Sequence, residues 1–73
     1  MTIVFQKTLI RAGEIRSFRI DRQRSSLGWE SSERASQGIA QRQYRSDWHR
    51  VERDLARFAR EIAALRLQGW RNA

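Results

Sequence analysis

Four arginines, Arg50, Arg53, Arg57 and Arg60, recur at intervals of three and four residues. On an α-helix that spacing places them within about 80° of arc, as one ridge of guanidinium groups. A guanidinium can bind a phosphate or a carboxylate through two parallel hydrogen bonds. The chemistry open to such a ridge is capture of a polyanion by counterion release, without base specificity. Asp54 and Glu61 flank the arc, four residues from Arg50 and Arg57, and ion pairs there would neutralise part of it. The plainer alternative is a solvated helix face, since a charge run on a helix is usually no more than that.

A second basic group, Arg11, Arg16, Arg19, Arg22 and Arg24, faces only Glu14 and Asp21 along residues 11–24. Basic residues on a sheet beside aromatics hold the backbone of a single strand while its bases stack. Here Phe18 and Trp29 are needed for the core, which leaves Tyr44 as the aromatic most free to be exposed. The candidate contacts to nucleic acid or an acidic partner are therefore Arg50, Arg53, Arg57, Arg60, Arg16 and Arg19.

Other chemistry finds little support. His49 is the only histidine and there is no cysteine, so nucleophile dyads, thiolate metal sites and disulfides have no basis. Glu52, Asp54 and Glu61 are spaced for ion pairs with arginine rather than as paired acid–base carboxylates. Gly13, Gly28, Gly38 and Gly69 are too widely separated to form a phosphate-binding loop. We expect no enzyme activity, no cofactor and no metal. Residues 3–5 are a short apolar run followed by Gln6 and Lys7, which resembles neither a signal peptide nor a membrane span, so a cytoplasmic location is expected.

The net charge is +7, from fifteen basic and eight acidic residues, and Lys7 is the sole lysine. The plainer alternative to a functional arginine excess is codon bias in a GC-rich genome, which replaces lysine by arginine everywhere. It does not account for the positive balance, which favours nucleic acid or an acidic protein surface as partner.

The elements that position these residues begin with the last third of the chain. Trp48, Val51, Leu55, Phe58, Ile62 and Leu65 are spaced 3-4-3-4-3, one apolar stripe of a helix. Ser46 or Asp47 can cap its first turn, Gly69 suits its left-handed end, and Trp70 can fold back on Leu65. Upstream, residues 2–10 and 15–22 read as strands joined by a turn at Ala12-Gly13-Glu14. Ile3, Phe5 and Leu9 would share a face interrupted by Lys7. Ile15 has the wrong parity to join Phe18 and Ile20 inside, which suggests a bulge near Arg16-Ser17. Residues 22–26 read as a polar connection and 27–30 as a short third strand anchored by Trp29. A loop over 31–38 and a fourth strand over 39–44 follow, with a helix from Ser31 to Tyr44 as the alternative.

The fold class expected is α+β: a three- or four-stranded antiparallel β-meander (residues 1–45) packed against one long C-terminal helix and its cap (46–70), in a single domain. The core should gather Phe5, Phe18, Trp29, Trp48, Leu55, Phe58 and Ile62. A helix of 22 residues spans about 33 Å and should overhang such a sheet. Its free end, with Leu65 and Trp70, could pair with a second copy in a homodimer.

The segment Gln43-Tyr44-Arg45-Ser46, the helix with Phe58, and the closing Gln68-Gly69-Trp70 resemble the C-terminal half of WGR domains. The resemblance covers about a third of the chain. It implies a small antiparallel sheet with a packed helix, and association with DNA ends and other nucleic-acid contexts. The Trp-Gly-Arg that names the family is absent, Gly28-Trp29-Glu30 differing in order and charge, and no functional residue carries over. The expected function is a small non-enzymatic binding or adaptor module contacting nucleic acid through its arginine-rich helix face. The alternative is a protein–protein module or homodimer.

Overall fold

The computed structural model describes residues 2–22, 28–36 and 38–73. Strand β1 (Thr2–Arg11), β2 (Glu14–Arg22), β3 (Trp29–Ala35) and β4 (Gly38–Arg45) precede helix α1 (Trp48–Leu67), and a two-residue strand β5 (Arg71–Asn72) closes the chain. The strands form one antiparallel sheet in the order β4-β3-β2-β1-β5, with α1 on one face, which makes the fold α+β. No helix among the described residues is long and apolar enough to cross a membrane.

The hairpin β1–β2 turns on two residues, Ala12 and Gly13, both at positive φ (51° and 81°). That pair of conformations matches the right-handed twist of the flanking strands, so the register runs unbroken from Arg11↔Glu14 to Phe5↔Ile20. The irregularity lies at Val4 and not at Arg16-Ser17 as the parity of Ile15 suggests. Ile15 keeps its parity and is exposed on the far face of the sheet. The extra residue at Val4 also puts Ile3 opposite Asp21, so Ile3 does not share the face of Phe5 and Leu9.

The stretch expected to be a loop, 31–38, is mostly β3, paired on both sides. Ser-Ser-Glu-Arg-Ala has little intrinsic strand preference. Two neighbouring strands supply the ladder, and Ser31 and Glu33 find polar partners on the helix side, so the tertiary setting overrides propensity. The alternative helix is absent. The connection over 23–27, with Arg24 and Leu27, lies outside the described residues.

Helix α1 is capped by Asp47, whose side chain accepts from the His49 N–H at 3.0 Å. At the other end the Trp70 N–H donates to Leu65 O (3.0 Å) and the Gly69 N–H to Arg66 O (3.1 Å), with Gly69 at φ +96°. This is the paired bonding of a left-handed helix stop, and Leu65 and Trp70 are buried together in the core as that motif requires. The helix spans about 30 Å and the ten residues of β1 about 33 Å, so helix and longest strand match in length. Leu65 and Trp70, expected at a free end, are inside the domain.

Leu9, Phe18 and Ile20 from the sheet meet Val51, Phe58, Ile62 and Leu65 from the helix, and Phe5, Trp29 and Leu55 pack at the margin. Phe58 is central, 5.1 Å from the Phe18 ring and 6.2 Å from Phe5. Trp48 departs from the core expectation: it is 43 % exposed and lies over Trp29, ring centroids 5.3 Å apart.

Candidate basic binding surfaces

The buried face of α1 is Val51, Asp54, Phe58, Ile62 and Leu65. Relative to the apolar stripe, this face is turned by about 30° towards Asp54, and the arginine ridge turns with it. Arg57 is thereby brought against the sheet, 3.3 Å from Glu33 and 3.6 Å from Asp54, with its guanidinium 5.1 Å from the Phe58 ring. Arg50, Arg53 and Arg60 stay exposed and have no acidic partner among the described residues. The pairs expected within the helix are replaced by pairs to the sheet. Asp54 binds Arg45 rather than Arg50, and Glu61 approaches Arg16 at 4.0 Å rather than Arg57.

Asp54 is 2 % exposed. Its Oδ2 accepts from Ser31 Oγ at 2.7 Å and from Arg45 Nε at 3.0 Å, and its Oδ1 from Arg45 Nη2 at 3.2 Å. Burial alone would raise its pKa. The hydrogen bonds from Arg45 and Ser31 and the charges of Arg45 and Arg57 outweigh burial and hold it below the ordinary value. Glu33 shifts the other way: burial, then repulsion from Glu61, raises it despite Arg57 and Arg16. Arg45, Arg53, Arg57 and Arg60 surround Asp54 and border an open depression of about 380 Å³, with Ala56 leaving the gap between them.

The described members of the second basic group do not form one patch: Arg11 ends β1, and Arg16, Arg19 and Arg22 alternate between the faces of β2. Arg11 closes the helix, donating to Gln68 O at 2.8 Å with its guanidinium 5.2 Å from the Trp70 ring. Arg16 points to the helix side and lies 5.7 Å from the Phe18 ring. Arg22 covers Trp29 at 5.8 Å. Arg19 alone turns to the opposite face, where its Nε is 2.9 Å from Asp21 Oδ2.

That opposite face carries charge the sequence reading missed. The strand registers build transverse rows across it: Ile3–Asp21–Glu30–Tyr44, then Gln6–Arg19–Ser32–Arg42, then Thr8–Ser17–Arg34. Gln6, Ser17, Arg19, Ser32, Arg34 and Arg42 line a depression of about 360 Å³ together with the carboxylates Asp21 and Glu30. Arg42 Nε lies 3.5 Å from Glu30. Arg34 is exposed and has no acidic partner among the described residues. Arg34 escaped notice because a loop over 31–38 has no face parity, and Arg42, in the expected fourth strand, had no paired neighbour on β3 to place it beside Arg19. The usable signal was alternation: Ser32 and Arg34 share one parity and Glu33 the other. Tyr44, on the same face, is 54 % exposed, as expected.

His49 is exposed at the helix start, its Nδ1 3.6 Å from Glu52. No group of three His, Cys, Asp or Glu side chains among the described residues could hold a metal ion. Compared with protein families, curated proteins and solved structures, the chain matches none.

Proposed function

We propose that the protein is a small non-enzymatic binding module that contacts the phosphate backbone of nucleic acid through Arg50, Arg53 and Arg60. The observation that carries this reading is the fate of the acidic residues. Glu30, Glu33, Asp54 and Glu61 are engaged by arginines elsewhere in the fold, so the outer flank of α1 keeps its positive charge. The three guanidiniums extend over ten residues of rigid helix, about 15 Å. The resemblance to WGR domains points the same way. Arg57, held by Glu33 and Asp54, serves to shape the neighbouring groove rather than to bind.

Titration of labelled duplex against salt tests the proposal. Three neutralised phosphates give a log–log slope near −2.7, and replacing Arg53 and Arg60 with Gln reduces it by about two. No micromolar binding at about 150 mM salt would overturn the reading. An acidic protein surface is the second reading. It is favoured by β4, an edge strand whose outer side has no neighbouring strand and which carries Arg42 and Arg45 without an acidic residue.

A further inference from the structure

We propose that the open face of the sheet holds a second site, a seat for a phosphoryl group over Ser17, Ser32 and Arg34, suited to a phosphodiester of a single strand. It rests on the nucleic-acid reading above but uses the face of the sheet opposite α1. Arg19, Arg34 and Arg42 come from three different strands and converge on one depression of about 360 Å³. The hydroxyls of Ser17 and Ser32 and the amide of Gln6 line the same space, so its walls are rich in hydrogen-bond donors.

The two carboxylates determine where an anion sits. Asp21 and Glu30 lie in the row beyond Arg19 and Arg42, with Ser32 paired between those two arginines. They lie 2.9 Å from Arg19 Nε and 3.5 Å from Arg42 Nε, and the register places neither carboxylate between these arginines and Arg34. The anion is therefore favoured on the Arg34 side of the arginine row and disfavoured on the other. Three positive charges against two negative ones leave the face positive, and Arg34 supplies the excess.

Tyr44 extends the site from a phosphate to a strand: it lies in the Glu30 row, four residues of β3 and roughly 13 Å from Arg34, so the base it stacks belongs to a neighbouring nucleotide. It is two residues along β4 from Arg42, roughly 7 Å, on the same face. Its ring packs on Gly28, where a Cβ would run into the ring and hydroxyl of Tyr44 and lie 2.7 Å from Arg45 O. The glycine thus makes room for the phenol end of Tyr44 against the backbone, while about half of the residue's surface remains open to stack a base.

The experiment is an NMR titration of the full chain with two probes, inorganic phosphate and an oligothymidylate of about eight nucleotides. The amides of Ser17, Ser32 and Arg34 should shift with both. The double variant Arg34→Gln/Arg42→Gln should weaken both probes about tenfold or more, since charge-assisted bonds are lost. Tyr44→Ala should weaken the oligonucleotide about tenfold and leave phosphate unchanged. Shifts with phosphate alone would keep the phosphoryl seat and overturn its assignment to a single strand. No shift with either probe, or equal shifts in the double variant, would overturn the site. The helix variant Arg53→Gln/Arg60→Gln separates the two proposals, because it should weaken duplex binding and its salt dependence and leave the open-face shifts intact.

Discussion

At Asp54 the helix carries a carboxylate where its packing geometry asks for an apolar side chain. The isolated helix makes Asp54 look like a surface partner for Arg50, four residues away. What decides its role is the opposing sheet: Ser31 and Arg45 donate three hydrogen bonds to it and Arg57 adds charge. None of this was legible in the sequence, because Ser31 was read as loop and so had no position relative to the helix. The lowered pKa of Asp54 carries a sign. Its stabilisation is complete above the ordinary value of 3.8 and is lost as pH falls through the lower folded value. Asp54→Asn should therefore cost about 3 kcal/mol at neutral pH, because Arg45 is left without its counter-charge. Denaturant melts should show the gap closing as pH falls below 3.8, and a pH-independent gap would refute the ionic account. Glu33 predicts the reverse. Its pKa is raised, so its favourable contribution exists below the ordinary 4.5 and is lost as pH rises through the folded value. Glu33→Gln should then match or exceed the parent's stability at pH 7, with Arg57 keeping Asp54 as partner, and a clear loss there would contradict that sign.

At the scale of elements, legibility followed how far each element is set by its own residues. The helix was readable because its 3.6-residue period and both caps are local. The hairpin was readable because Ala12-Gly13 separates two runs rich in β-branched residues. Strand β3 was readable only at its start, Trp29-Glu30, since the five residues from Ser31 to Ala35 are held by pairing to β2 and β4 and not by preference. Strand β5 was not readable: two residues have no period, and only the helix stop at Gly69 directs them back along β1 at Leu9 and Ile10. The basic sites divide the same way. Arg50, Arg53 and Arg60 were found from helix period alone, whereas Arg34 and Arg42 needed the register of three strands. The turn offers a direct test of local control. Ala12 sits at φ 51°, a left-handed conformation in which its Cβ is crowded and for which asparagine is better suited. Ala12→Asn should raise stability by about 0.5–1 kcal/mol, or the melting temperature by about 3–6 °C. An unchanged or lower melting temperature would mean that the hairpin does not depend on that turn geometry.

For the whole molecule the constraint is size. Seventy-three residues give a stability of about 4–11 kcal/mol at the usual value per residue. The buried aliphatic and aromatic side chains must supply it, because there is no disulfide to help. This explains why Leu65 and Trp70 are spent inside the domain and not left for a partner helix. Leu67, 91 % exposed, is the large apolar residue that α1 leaves outside near its C-terminal end. Phe58 is where the layers meet, fully buried, in contact with the rings of Phe5 and Phe18 and beneath Arg57. Phe58→Ala removes a side chain that both sheet and helix pack against, and should cost about 3–5 kcal/mol. That is a large share of the total, so the variant should melt far below the parent or lose its cooperative transition. Leu67→Ala, on the same helix but in solvent, should change stability by less than about 0.5 kcal/mol. Calorimetry of the pair reads the orientation of the helix directly: comparable melts for the two variants would mean that α1 meets the sheet with a different face, and the basic flank would then have to be redrawn with it.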